Sequence, residues 1–228
     1  MPYLLHIETS TDVCSVAISK NDILLSLQED ATGYSHAAKI TLLIEAALQA
    51  AKIQMSDLHA VALSSGPGSY TSLRIGTSTA KGICYALDIP LIIVDTLEAL
   101  AQATHHILPK ENALYFPMID ARRMEVYTAG FDVAGIQQEN LHAKIIDAES
   151  FNTFLQKKIL LIFSGNGAPK CEDILAHENT LFIPVVCSAK HLISLAFAAF
   201  QAQVFADIAY YTPTYFKSPN ITKAKKVL

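Results

Sequence analysis

The sequence predicts an α/β protein of two related halves, each built as β-β-β-α-β-α. Three observations carry this. Apolar runs of strand length alternate with stretches of helical spacing. The order of elements starts again near residue 113, a weak internal repeat with a period near half the chain, which is a signal about the whole fold. In each half the first apolar strand ends in a carboxylate, Glu8 in "LHIETSTDVCSVAISKNDI" and Asp120 in "PMIDARRMEVYTAGFDVAG". Two such halves imply lobes facing each other across a cleft. The chain has 228 residues, 51% of them hydrophobic, enough for a sizeable core.

The elements follow in order. "YLLHIETS", "VCSVAISK" and "DILLSLQED" read as strands, with turns at Thr11-Asp12 and Lys20-Asn21-Asp22. Ser35 is placed to cap a helix whose apolar residues are Ile40, Leu43, Ile44, Ala47, Leu48 and Ala51. "AVALSS" is a strand, residues 71–87 a helix, "PLIIV" a strand, and Asp95 or Thr96 caps a helix running to about His105. The second half gives strand, acid, strand, turn and strand from Ala113. A helix over 149–157, the strand "ILLIFSG", a loop and helix in "NGAPKCEDIL", and a late core helix in "AKHLISLAFAAFQAQVFA" follow.

A net charge of -4 argues against a chain that grips nucleic acid alone by neutralising phosphates. Cys14, Cys84, Cys171 and Cys187 lie far apart, without metal-ligand spacing, and read as reduced, buried thiols. "MPYLLHIETST" lacks the basic start and apolar run of a signal peptide, and the late apolar helix carries Lys190, His191, Gln201 and Gln203. A cytoplasmic protein with no membrane contact is expected.

The segment most open to a functional reading is "ALSSGPGSYTSLRIGTSTAKGICYAL", residues 62–87. A strand breaks at Gly66-Pro67-Gly68 and restarts as a helix, the arrangement by which backbone amides and a helix dipole hold phosphate. Along the helix, Leu73, Gly76, Ala80, Ile83, Cys84 and Leu87 form an inward stripe. A second face carries Arg74, Ile75, Ser78, Thr79, Gly82 and Ala86. Glycine costs a helix about 1 kcal/mol relative to alanine, so Gly76 and Gly82 point to close contacts that compensate.

Gly66-Pro67-Gly68-Ser69-Tyr70-Thr71, Leu73-Arg74-Ile75-Gly76 and Ala80-Lys81-Gly82 resemble the signature of the TsaB (YeaZ) family. Ile7-Glu8-Thr9-Ser10-Thr11, Asp120-Ala121-Arg122-Arg123, Glu125-Val126-Tyr127 and Gly165-Asn166-Gly167-Ala168 extend the likeness over nearly the whole chain. Ser72 stands where a glycine is usual, and Asn166 where an aspartate is common. The resemblance implies an actin-like (ribonuclease H-like) two-lobe fold, that of sugar kinases and heat-shock ATPases. It further implies a part in making threonylcarbamoyladenosine in tRNA, as non-catalytic partner of a longer paralogue, TsaD. A homodimer when alone, a TsaE-like ATPase reached through the complex, and only indirect tRNA contact belong to the same implication.

The catalytic paralogue holds a metal with two histidines four apart on a helix, a spacing that puts both rings on one face. By alignment those positions are Thr96 and Leu100, neither a suitable ligand, so no metal and no cofactor are expected. His105 and His106 read as a solvated helix end. Glu8, Thr9, Ser10, Gly66, Gly68 and Asp120 are then candidates for a vestigial phosphate site. A stand-alone kinase would use Glu8 or Asp120 at the magnesium. A peptidase would need Ser69 activated, and no histidine and acid are placed for that. The expected lobes are residues 1–106, with part of 188–212 packed back on them, and residues 107–187. A flexible basic tail is expected over 213–228, where four lysines fall in "FKSPNITKAKKVL".

Overall fold

The computed structural model describes residues 1–33 and 36–217. The proposed cap Ser35 and most of the lysine tail lie outside the described residues. Its elements are β1 (Tyr3–Glu8), β2 (Cys14–Lys20), β3 (Ile23–Asp30), α1 (His36–Ala51), β4 (Leu58–Ser64), α2 (Tyr70–Leu87), β5 (Leu91–Val94) and α3 (Thr96–Ile107). The second series is β6 (Ala113–Asp120), β7 (Glu125–Phe131), β8 (Gln137–Ile145), α4 (Asn152–Leu155), β9 (Leu160–Ser164), β10 (Thr180–Phe182) and α5 (Ile193–Gln201).

The strands form two five-stranded sheets with one plan. The first has the order β3-β2-β1-β4-β5, the second β8-β7-β6-β9-β10. In each the first three strands are an antiparallel meander and the last two run parallel to the first. The repeat read from the sequence is thus a repeat of topology.

Period-two alternation divides the core into layers. In the first sheet Leu5, Ile7, Val16, Ile18, Val61 and Leu63 face α1 and α2, meeting Ile40, Ile44, Ala80 and Cys84. On the other face Leu4, Ala60, Ala62, Ile92 and Val94 meet Ala99, Leu192 and Ala196. In the second sheet Tyr115, Ile119, Ala129 and Ile162 meet Leu97, Leu100 and Ala101 of α3. Its far face packs Phe116, Met118, Val126 and Phe163 on Phe151, Ala168 and Cys171. Helix α3 therefore contributes to a layer of each sheet.

Residues 188–192 are tied to the first sheet. Ser15 Oγ and Ser188 Oγ both donate to Glu29 Oε1, at 2.8 and 2.6 Å, and Ala189 N donates to Ser15 Oγ at 2.9 Å. Helix α5 is shorter than its apolar run. Gln203 adopts a left-handed φ of 56°. Gln203 N then bonds Phe200 O at 3.1 Å and Val204 N bonds Ala199 O at 2.9 Å, a Schellman ending that stops the helix.

Two other expectations are corrected. The helix expected over 149–157 is the single turn α4, closed by Lys158 at φ 55°. The helix expected in "NGAPKCEDIL" is only a 3-10 turn, Pro169–Cys171. Gly165 and Gly167 press that segment against the backbone of β6, and Gly167 N bonds Met118 O at 2.9 Å. All four cysteines are free and buried, and burial raises the Cys14 and Cys84 thiols to about 11.

Candidate functional site

The glycine turn joins β4 to α2 and closes on the end of β1. Gly66 has a φ of 98°, a conformation that side chains rarely adopt. A methyl on Gly68 would run into the backbone of Ser10, and Ser69 N donates to Ser10 O at 2.7 Å. Ser69 caps α2, its Oγ accepting from Ser72 N at 3.5 Å and from Ser72 Oγ at 3.0 Å. Ser72 thus becomes part of the cap. Gly76 lies one turn further on, against the Thr9 hydroxyl.

Glu8, Thr9, Ser10, Gly66 and Gly68 are therefore brought together, but Glu8 is buried and already engaged. Its Oε1 accepts from Ser10 N at 2.6 Å and from Ser64 Oγ at 3.0 Å. Burial raises its pKa, against the pull of these hydrogen bonds. Asp120 has different company. Its backbone N donates to Asn166 Oδ1 at 3.0 Å, and its carboxylate accepts from Arg122 N at 2.9 Å and pairs with Lys170. The Lys170 ammonium also donates to the carbonyls of Arg123 and Glu125, both at 2.7 Å. Three oxygens of the β6–β7 hairpin thus converge on one internal cation. No feature of the sequence separated Lys170 from a surface lysine.

Thr96 and Leu100, expected to stand where the resemblance implies a ligand pair in the paralogue, have structural work. Gly66 N donates to Thr96 Oγ1 at 3.0 Å and Thr96 N donates to Gly66 O at 3.2 Å, joining α3 to the glycine turn. Leu100 is buried against the second sheet. Asp95 is the cap of α3, accepting from Leu97 N at 2.8 Å and Glu98 N at 2.9 Å. His105 is not a free solvated ring. It sits edge-on to Tyr115 and shares a 3.0 Å hydrogen bond with its hydroxyl, which itself donates to Leu108 O at 2.8 Å.

The two faces of α2 separate except at Ile75, which was expected on the outward face but packs at the margin of the first sheet's core. Ser72, Leu73, Gly76, Thr77, Ala80 and Cys84 are buried. Ile83 and Leu87 pack at the margin of the same core. Arg74, Ser78, Gly82 and Ala86 are exposed, and Ile75 and Thr79 half-buried. A side chain at Gly82 would meet nothing within 4 Å. Tyr85, on the same face, is 85% exposed.

One edge of α2 is occupied by a segment that the sequence did not mark. Lys81 Nζ donates to the carbonyls of Ala209 and Tyr211 at 3.3 and 3.2 Å. Arg74 lies 4.4 Å from the Tyr70 ring and its Nε donates to the Tyr215 hydroxyl at 3.2 Å. Residues 213–217, expected to belong to a free tail, are held by such contacts. The aromatic-rich run that leads into them, "IAYYTPTYF" at residues 208–216, was the available signal.

Comparison with known proteins agrees with this architecture. A family model described as TsaD, tRNA N6-adenosine threonylcarbamoyltransferase, matches residues 30–228. The tRNA threonylcarbamoyladenosine biosynthesis protein TsaB of Buchnera aphidicola (subsp. Acyrthosiphon pisum) is 31% identical, over 83% of this chain and 86% of that protein. A solved Pseudomonas aeruginosa protein, described as uncharacterized with similarity to the peptidase YEAZ, superposes with a TM-score of 0.79 at 24% identity, covering 95% of this chain and 100% of that one. An Arthrobacter polyphosphate/ATP-glucomannokinase reaches 0.51 at 13% identity, over 89% of this chain and all of that chain, 100%. The last two speak for the fold, which is actin-like. The chain therefore belongs to the TsaB (YeaZ) family of tRNA threonylcarbamoyladenosine biosynthesis proteins and, over residues 30–228, to the TsaD family.

Proposed function

We propose that this chain is a non-catalytic subunit of the machinery that makes threonylcarbamoyladenosine in tRNA. In this reading it binds and activates a TsaD-like transferase through the outward face of α2. The observation that carries the reading is that face: Ser78, Gly82 and Ala86 form an exposed row of small residues, with open space at Gly82. A helix of the partner can approach such a row closely. Arg74, Ile75, Ser78, Thr79, Gly82 and Ala86 are the interface residues, and the same face serves a homodimer when the chain is alone. A TsaE-like ATPase joins through the complex, tRNA is met indirectly, and the assembly works in the cytoplasm. The lobes in this reading are residues 1–106 with part of 188–212, and residues 107–187.

The chemistry around Glu8 and the glycine turn supports a non-catalytic role. A carboxyl that is buried, doubly hydrogen-bonded and raised in pKa is a poor ligand for the magnesium of a kinase. The glycine turn donates its Ser69 amide to Ser10, so a phosphate would have to displace protein. Glu8, Thr9, Ser10, Gly66, Gly68 and Asp120 are read as remnants of a phosphate site with no cofactor.

The test is reconstitution of tRNA modification by a TsaD-like enzyme with and without this chain. Gly82→Leu, with Thr79→Leu as a second probe, is expected to abolish stimulation and weaken co-purification by up to about a hundredfold, while the melting temperature holds. Leu73→Ala, on the buried face, is expected to lower stability by about 2–5 kcal/mol. If Gly82→Leu unfolds the chain or leaves pairing intact, α2 is not the interface.

A further inference from the structure

The path of the last described residues carries an inference about how the two sheets are held together. After α5, Ala206 N bonds Leu91 O at 2.8 Å, along the edge of the first sheet. The chain then follows α2 through the two carbonyls that hold Lys81. Thr214 N donates to Ser65 O at 3.2 Å, beside the glycine turn. Tyr215 packs tilted against Tyr70 with ring centroids 4.5 Å apart and bonds Arg74. In the next two residues the chain changes sides. Phe216 lies 6.2 Å from Tyr127, and Lys217 pairs with Glu125, both on β7 of the second sheet.

We propose that residues 209–217 form a releasable clasp, fastened by Tyr215 to the first sheet's helix and by Lys217 to the second sheet. Its fastenings suit release. Tyr215 is 37% exposed and Phe216 40% exposed, and the Lys217 pair lies at the surface. Surface ion pairs and partly exposed ring contacts are individually weak and depend on salt. Arg74 couples the clasp to assembly. Its guanidinium lies over the Tyr70 ring at 4.4 Å and bonds the Tyr215 hydroxyl at 3.2 Å, and a partner that recruits it must compete with Tyr215. A partner seated on α2 therefore loosens the clasp, and a loosened clasp favours the partner, since the two effects are reciprocal. This coupling rests on the reading of α2 as the partner face; the clasp itself does not.

The experiment is backbone hydrogen exchange on the full-length chain, alone and mixed with a TsaD-like enzyme, for the wild type and for Tyr215→Ala, Lys217→Ala and Gly82→Leu. In the chain alone, Tyr215→Ala is expected to speed exchange across 211–217 and also in the 121–125 hairpin, which Lys217, not Tyr215, engages through Glu125. Lys217→Ala is expected to do the same at the hairpin, and 0.5 M salt to mimic it. A hairpin unchanged in both variants overturns the clasp. In the mixture, wild-type exchange over 211–217 is expected to rise on binding, and Tyr215→Ala to bind about threefold to tenfold tighter, because the competing contact is gone. Slower exchange on binding, or weaker binding by Tyr215→Ala, overturns the coupling. Gly82→Leu separates the two readings. If it still binds, the α2 interface fails while the clasp measured in the free chain stands or falls on its own.

Discussion

Two glycines on one helix show how differently the same residue is used. Gly76 lies under the Thr9 hydroxyl, with the Leu63 side chain 3.3 Å from where a Cβ would stand, whereas Gly82 faces open space. Gly76→Ala is expected to destabilise the chain by about 1–3 kcal/mol, an overpacking cost that exceeds the gain in helix propensity. Gly82→Ala is expected to stabilise it by roughly 1 kcal/mol. Chemical denaturation of both variants checks this, and equal effects at the two positions would refute it. Removing the obstacle in Thr9→Ala should recover most of the Gly76→Ala loss, since contacting residues do not behave additively.

At the scale of elements, strands and long helices were legible because their periodicity is set by burial. β1 carries apolar residues on both faces as a central strand, α1 and α2 show one clear stripe each, and α3 is buried on the sides that meet both sheets. The short pieces were not legible. β10 has three residues and is defined by pairing with β9, and α4 is one turn fixed by Phe151 and Lys158. The candidate site was legible in part. The signature marked the glycine turn, and helical spacing separated the two faces of α2. The engagement of Glu8 by Ser64, of Lys170 by the hairpin and of Arg74 by Tyr215 spans 56, 45–50 and 141 residues of sequence, beyond any local pattern.

For the molecule as a whole, acid stability follows from the buried His6 and the half-buried His191. Burial lowers the pKa of His6 from 6.5 to about 3 and that of His191 to about 4. Both are neutral in the folded chain and accept a proton near pH 6.5 in the unfolded one. The unfolded chain thus binds more protons between pH 6.5 and about 4, and stability falls as the pH falls, by roughly 1 kcal/mol per pH unit for each fully buried ring. Glu8 acts in the opposite sense, because a raised carboxyl contributes stability that is lost as the pH rises. Denaturation midpoints measured from pH 7 to pH 4 should decline. The decline should be shallower when His6 and its 2.8 Å partner Ser19 are replaced together by leucine and alanine. An unchanged slope would show that His6 does not govern it.

The return of residues 188–206 to the first sheet also sets a timetable for synthesis. The inner face of that sheet, with Leu4, Ala60, Ile92 and Val94, is completed by Leu192 and Ala196. On a ribosome making about 5–20 residues per second, that face waits for seconds after its own strands have emerged. The second sheet is made in the interval, so the half begun first is finished last. A nascent chain stalled near residue 110 should therefore bind a hydrophobic dye and engage chaperones, and one released beyond residue 206 should not. Supplying the 188–217 peptide to the stalled chain should quench the dye; a short chain that already excludes it would show that the first sheet closes without its late-arriving lid.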